Sequence, residues 1–182
     1  MRISVDATKV KETFAKLKDT EAFEESRELM ASGKLPVEMI QAMSLRPEIL
    51  KAFGYTGEGV YPGGLLERAL KEKVILKASQ DNDCQFCVNS HRDRMRMIGS
   101  PEEQILNLEN PENLTPREAL ALEYTGAVMR DSNGIGDELF SQLKERFSDP
   151  EIVELTFLIG FINQLNMFNN ALRVTYRGDY DV

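Results

Sequence analysis

Apolar residues recur three and four positions apart through most of this chain, and no useful length alternates apolar with polar, so the pattern predicts an all-α fold. Residues 6 to 32 read as two short helices. The first runs from Asp6 to about Lys18 with Val10, Phe14 and Leu17 on one side, and the second from Glu21 to Met30 with Phe23 and Leu29, broken at Gly33 and Pro36. Pro36 to Met43 and Pro47 to Phe53 each begin with proline at a tolerated first-turn position and carry Val37 and Ile40, then Ile49, Leu50 and Phe53, at helical spacing. The glycine-rich run from Gly54 to Gly64 reads as a loop. It has neither phosphate-loop spacing nor a preceding strand, and its tyrosines suit a pocket mouth. Ser100, Thr115 and Ser148 each stand three residues before a Glu, which marks three helix starts, and Gly99 closes the helix before the first of them. The second of these helices runs to about Arg130, another from Asp137 to Phe147, and the last from Pro150 to about Val174.

Polar residues that interrupt this pattern are the candidates for chemistry. Glu72 falls in a stripe with Leu65, Ala69, Leu76 and Ser79. After it, Asp81-Asn82-Asp83 reads as a tight turn whose short side chains also cap the next helix. On that next helix Cys84, Cys87 and His91 are three and four residues apart, so two thiols and an imidazole share one face. Glu72 and His91 each lie about eight residues from the turn, roughly 12 Å at ~1.5 Å per residue, so a helical hairpin brings Glu72 to face His91 and Cys87. Farther on, Glu123 interrupts the stripe of Ala119, Leu120, Ala127 and Val128; Asn163 and Asn166 interrupt the last helix, followed by Asn170 and Arg173. Met95, Met97, Met129 and Met167 read as gap-filling core.

Composition narrows the setting. At 182 residues and 42% hydrophobic content the chain suits one ordinary core. Thirty acidic against twenty-two basic residues give a net charge of -8, with the basic residues scattered, which disfavours nucleic acid and anionic lipid as partners. No apolar run approaches the ~20 residues of a spanning helix, and the first residues lack a signal-peptide core, so a cytoplasmic location and no membrane are expected. In a reducing compartment a lone CxxC pair is redox-active or metal-binding more often than structural.

A free thiol with a pKa of about 8.5 is mostly protonated at neutral pH, and only the thiolate attacks a peroxide or disulfide. Three agents here lower that pKa: the start of the Cys84 helix, His91 as base, and Glu72 orienting the imidazole. Duller readings stand beside this one. The cysteines also read as small buried hydrophobes, or as zinc ligands with His91 and Glu72; His91 as a core histidine; and Glu72 as the partner of Arg92 or Lys73.

Glu72, then Cys84-Gln85-Phe86-Cys87, His91 and Gly99, resemble the core of the alkylhydroperoxidase D-like, or carboxymuconolactone decarboxylase, superfamily, and the likeness extends from about Arg46 to about Arg173. Residues 1–35 have no counterpart and read as an added helical arm on a domain of residues 36–182, covering either its own core or a neighbouring subunit. Two departures stand out: Phe86 occupies a position where the alkylhydroperoxidase D proteins carry a second histidine, and the decarboxylases proper lack the cysteine pair. The resemblance implies an alkylhydroperoxidase D-like helical bundle, in trimers or a hexamer, with no haem, flavin or metal. It implies a thiol-dependent peroxidase in which Cys87 attacks hydrogen peroxide or an organic hydroperoxide. The more exposed Cys84 then forms the disulfide, Glu72 and His91 relay protons, and an external thiol restores the pair. It also implies that the last helix packs on the hairpin, so that Asn163 or Asn166 points into the pocket. The physics alone leaves the attacking cysteine open. The rival readings are a protein thiol-disulfide oxidoreductase, a zinc-stabilised or interaction module, and a decarboxylase-type enzyme.

Overall fold

The computed structural model describes residues 1–17 and 21–178. Among these, ten α-helices and two 3-10 turns, Glu21–Phe23 and Pro111–Asn113, make up the secondary structure, and no strand occurs. In chain order the helices are α1 (Ala7–Lys16), α2 (Glu24–Ala31), α3 (Glu38–Met43), α4 (Pro47–Val60), α5 (Arg68–Asp81), α6 (Gln85–Met97), α7 (Glu102–Leu106), α8 (Pro116–Asp131), α9 (Asp137–Arg146) and α10 (Asp149–Leu172). The fold is all-α, as the periodicity predicts; Lys18, the expected end of the first helix, lies outside the described residues.

Local chemistry accounts for most boundaries. Asp6 accepts a hydrogen bond from the Thr8 N–H at 2.8 Å and starts α1. Thr115 with Glu118 and Ser148 with Glu151 form complete capping boxes at α8 and α10. Ser100 makes no such box, because Pro101 takes the capping position and leaves the serine one residue too early. Gly99, at φ +80°, and the Ser100 N–H donating to Met95 O at 2.9 Å end α6.

Helix α5 is enclosed by α6, α8 and α10, and its sides are buried all round rather than along one stripe. Leu70, Val74, Ile75, Leu76 and Ala78 supply the apolar part of that contact. Three consecutive charged residues, Lys71, Glu72 and Lys73, are buried with them. Successive helical residues point about 100° apart, so each meets a different neighbour. Lys71 pairs with Glu154 of α10 at 2.5 Å, Glu72 with His91 of α6 at 2.6 Å, and Lys73 with Glu118 of α8 at 2.7 Å. Lys73 is therefore not the partner of Glu72.

The glycine-rich run is a second departure from the expectation. Helix α4 continues through Gly54, Gly57 and Gly59 to Val60, and only residues 61–67 form the connection. A Cβ at Gly54 would stand 2.8 Å from the Phe23 ring, so this glycine admits the N-terminal arm to close contact. The arm covers its own core: Val10, Phe14, Phe23 and Leu17 join the main apolar cluster, and rings run from Phe14 through Phe23 and Phe53 to Phe161 at centroid spacings of 5.7, 6.5 and 5.8 Å. Met95 is buried, but Met97 and Met167 are exposed and fill no gap; Glu123 is exposed too, turned away from the buried face of α8.

The connection after α4 hangs on the Lys71–Glu154 pair. Lys71 Nζ donates to Val60 O at 3.0 Å and to Gly63 O, while Glu154 accepts from the Leu65 and Leu66 N–H groups at 2.5 and 3.1 Å. Glu154→Ala strands the buried ammonium, and a loss of about 3–5 kcal/mol in urea unfolding is expected. Adding Lys71→Met to that variant should recover part of the loss.

Candidate active site

The turn between α5 and α6 sets the sulfurs. Asp83 is left-handed, at φ 49°; its N–H donates to Gln80 O at 3.0 Å and the Cys84 N–H to Ser79 O at 2.9 Å, which closes α5 and points the chain straight into α6. The capping position of α6 is Cys84 itself, and no side chain of the Asp81–Asp83 turn caps the helix. The free N–H groups of the first turn serve the sulfur instead: those of Phe86 and Cys87 donate to the Cys84 thiolate.

The two Sγ atoms stand 2.8 Å apart, and both cysteines are buried, Cys84 at 0% exposure and Cys87 at 3%. The expected greater exposure of Cys84 is thus not observed. Phe86 of α6 itself, Val37 and Met39 at the start of α3, Leu172 at the end of α10, and Val174 and Tyr176 just after it cover the pair. Such a pair loses its first proton easily. The hydrogen bond from Cys87 is the main reason the Cys84 thiol falls to about 7, with burial opposing and the first-turn N–H groups and Asn166 assisting. The same bond, burial and the neighbouring charge push the Cys87 thiol up, so the second proton stays.

Asparagines of α10 line the other side. Asn169 Nδ2 donates to Cys87 Sγ at 3.3 Å and Met39 Sδ at 3.4 Å. Asn166 donates to Ser79 Oγ at 3.1 Å and, like Asn163, accepts from Asn82 Nδ2, at 3.0 and 2.9 Å. Asn170 donates to Asn82 O at 2.9 Å. Asn166 thus ties Ser79 of α5 to the turn beside the sulfurs, Asn163 tethers the same turn, and Arg173 is an exposed left-handed cap of α10.

Glu72 is held from three sides. Its Oε1 accepts from Tyr61 OH and Arg68 Nε, each at 2.6 Å, and its Oε2 lies 2.6 Å from His91 Nδ1. Arg68 Nη2 also donates to Tyr61 OH at 2.8 Å. Burial alone raises this carboxyl, but His91, Tyr61 and Arg68 together bring it down to about 2. Burial and the Glu72 charge push the Tyr61 phenol up, so it remains a donor. Facing an ionised carboxylate, His91 Nδ1 directs its N–H at Glu72 Oε2, which leaves Nε2 for other partners. The ion-pair partner on the helix is Arg68 rather than Arg92 or Lys73, an i−4 relation the sequence displays. Tyr61, eleven residues before Glu72 in a connection, gave no such periodic signal. Asn169 did, one turn beyond Asn166.

An open groove of about 840 Å³ runs along the other face of α6, past Gln85, Val88 and Arg92, and does not include the sulfurs.

The model of the carboxymuconolactone decarboxylase family matches residues 47–125, a span that contains Glu72, Cys84, Cys87 and His91. A solved protein of unknown function from Agrobacterium tumefaciens, ATU0492, described as a candidate antioxidant defence protein AhpD, is 31% identical over 76% of this chain and 97% of its own, with a TM-score of 0.69. The chain belongs to this family, in its AhpD-like branch. The uncharacterized protein YdfG of Bacillus subtilis (strain 168) is 28% identical over 59% of this chain and 76% of its own. The debrominase Bmp8 covers 99% of this chain and 94% of its own at a TM-score of 0.78; at 16% identity that likeness shows the AhpD-like fold alone.

Two titrations check the electrostatics of this AhpD-like site. The thiolate absorbance of the reduced protein should rise with a midpoint near pH 7, and Cys87→Ala should move the Cys84 midpoint upward by removing its main hydrogen-bond donor. Glu72 is lowered from 4.5 to about 2 on folding, so its contribution is fully present above about pH 4.5 and is lost as pH falls toward 2. Unfolding measured across that window should show a steeper acid loss for wild type than for Glu72→Gln.

Proposed function

We propose that the chain is a thiol-dependent peroxidase of antioxidant defence, working through a Cys84–Cys87 disulfide in the cytoplasm. The observation that carries this reading is the pair of sulfurs 2.8 Å apart on the first turn of α6. At rest the charge sits on Cys84, and a proton shift along the shared hydrogen bond transfers it to Cys87, whose sulfur has the Asn169 N–H and, one helical turn on, His91. The Cys87 thiolate attacks the terminal oxygen of a hydroperoxide, the O–O bond breaks, and the departing alkoxide takes a proton to leave as alcohol, or as water from hydrogen peroxide. That proton comes from solvent and is relayed through His91 Nε2, with Glu72 holding the ring's other nitrogen. Cys84 sulfur then attacks the sulfenic acid; the S–S bond forms and water leaves. An external dithiol returns two electrons and two protons.

Disulfide exchange with a folded protein substrate is less favoured, because Cys84 lies beneath Val174 and Tyr176. A zinc site would need the carboxylate of Glu72, which Tyr61, Arg68 and His91 already occupy. Nothing else at the site supplies the acid and base of a decarboxylase.

The test is a thiol count before and after one equivalent of hydroperoxide. Wild type should lose both thiols and regain them with a dithiol, and Cys84→Ser should stop at a sulfenic acid on Cys87. If Cys87→Ser stops there instead, Cys84 is the attacker; if wild type keeps both thiols, the peroxidase reading fails.

A further inference from the structure

Helix α10 presents two buried asparagines to the hairpin, and their amides are used differently. Asn166, at 0% exposure, donates to Ser79 Oγ and accepts from Asn82 Nδ2, so both ends of its amide hold the scaffold. Asn169, at 1% exposure in the last turn of α10, is held at the sulfurs. Its backbone carbonyl accepts from the Val174 N–H at 2.9 Å, and its Nδ2 donates to Cys87 Sγ at 3.3 Å and to Met39 Sδ at 3.4 Å. An amide nitrogen carries two protons, so both are used. A thioether has no proton to give, which sets the nitrogen and not the oxygen toward Met39. The oxygen of the same amide is left over: Oδ1 is buried and accepts from no described residue. A buried acceptor without a donor costs free energy, and an orphan on the amide that touches Cys87 calls for an explanation.

The geometry points to Asn169 as the group that receives the substrate's hydroxyl: its Oδ1 accepts the O–H of a hydroperoxide while its Nδ2 holds the Cys87 sulfur that attacks. This deepens the peroxidase reading and rests on it. In a hydroperoxide the terminal oxygen, the one attacked, is also the one that carries the proton. One planar amide thus grips both reacting atoms, the sulfur through its N–H and the oxygen through that proton, and fixes the direction of approach. In the step itself the Cys87 thiolate forms the S–O bond and the O–O bond breaks with its electron pair leaving on the alkoxide, which is protonated through the His91 relay. The hydroxyl proton stays on the transferred oxygen. The product is a sulfenic acid whose O–H still donates to Oδ1, so this contact is kept from substrate through to product. The same acceptor selects among oxidants. Hydrogen peroxide and alkyl hydroperoxides offer an O–H, whereas a dialkyl peroxide or a disulfide offers none and leaves the buried oxygen orphaned.

The test uses the full chain with Cys84→Ser, so that Cys87 is its one thiol, and compares two reactions of that sulfur at one pH. One is oxidation by hydrogen peroxide; the other is alkylation by iodoacetamide, which brings no hydroperoxide O–H. Both draw on the same thiolate, so the ratio of their rates cancels any change in ionisation. Asn169→Leu, close in volume and without either end of the amide, should lower the ratio of peroxide to iodoacetamide rates roughly tenfold, and Asn169→Ala should act alike. Asn169→Asp keeps an acceptor; its charge should slow both reactions but hold the ratio within about threefold of the parent's. A ratio that neither apolar variant lowers, or one that falls in Asn169→Asp as far as in Asn169→Leu, overturns the inference and leaves the peroxidase reading standing. So does a Cys87 that iodoacetamide alkylates and hydrogen peroxide leaves untouched; where wild type also keeps both thiols, the peroxidase reading falls with it.

Discussion

Three charges in succession on a buried helix constrain everything around α5. A buried ion left without a partner costs several kcal/mol, so Lys71, Glu72 and Lys73 require three counter-groups in three directions. Glu154, His91 and Glu118 meet that requirement from α10, α6 and α8. Apolar packing of Leu70, Val74, Ile75 and Leu76 brings the same helices together but tolerates sliding by a fraction of a turn. The ion pairs do not, because each fixes one residue against one residue. The position of His91 relative to Glu72 is therefore part of the folding solution and not a separate adjustment of the site.

The site inherits its electrostatics from that arrangement. Arg68 and Tyr61 give Glu72 two donors besides His91, which keeps the carboxylate ionised despite burial. Tyr61 is in reach because Lys71 and Glu154 hold the connection after α4 against α5 and α10. Two neighbouring residues of α5 thus act on one atom cluster by different routes, Glu72 directly and Lys71 through the chain that carries Tyr61. On the sulfur side, a shared thiol proton, backbone N–H groups and the amide of Asn166 all favour one negative charge on Cys84, and a second charge, on Cys87, is opposed by the first and by burial.

What the sequence disclosed follows from the range of each interaction. Cys84, Cys87 and His91 share a face because their spacing is local. Glu72 meets His91 because the turn formed by Asn82 and its flanking aspartates is short and both arms are helical. The Thr115 and Ser148 boxes are equally local. Gly54 misled because its role depends on Phe23, far earlier in the chain, against which it packs. The burial of Cys84 was hidden for the same reason: its cover comes from Val37 and Val174, at opposite ends of the chain. The all-round burial of α5 was also beyond periodicity, since buried lysines look like solvated ones until their partners are known.

The cover over the sulfurs bears on which step it favours. On the proposed peroxidase reading, a sulfenic acid beneath Phe86, Val174 and Tyr176 would be kept from bulk water and from a second peroxide, while the other sulfur is already within one small displacement of an S–S bond at about 2.05 Å. That arrangement favours closing the disulfide over further oxidation. Opening it again requires a reductant to reach the pair through the same cover, which Tyr176 fastens by donating to Asp93 at 2.9 Å. An enclosure that protects the intermediate also slows its recycling.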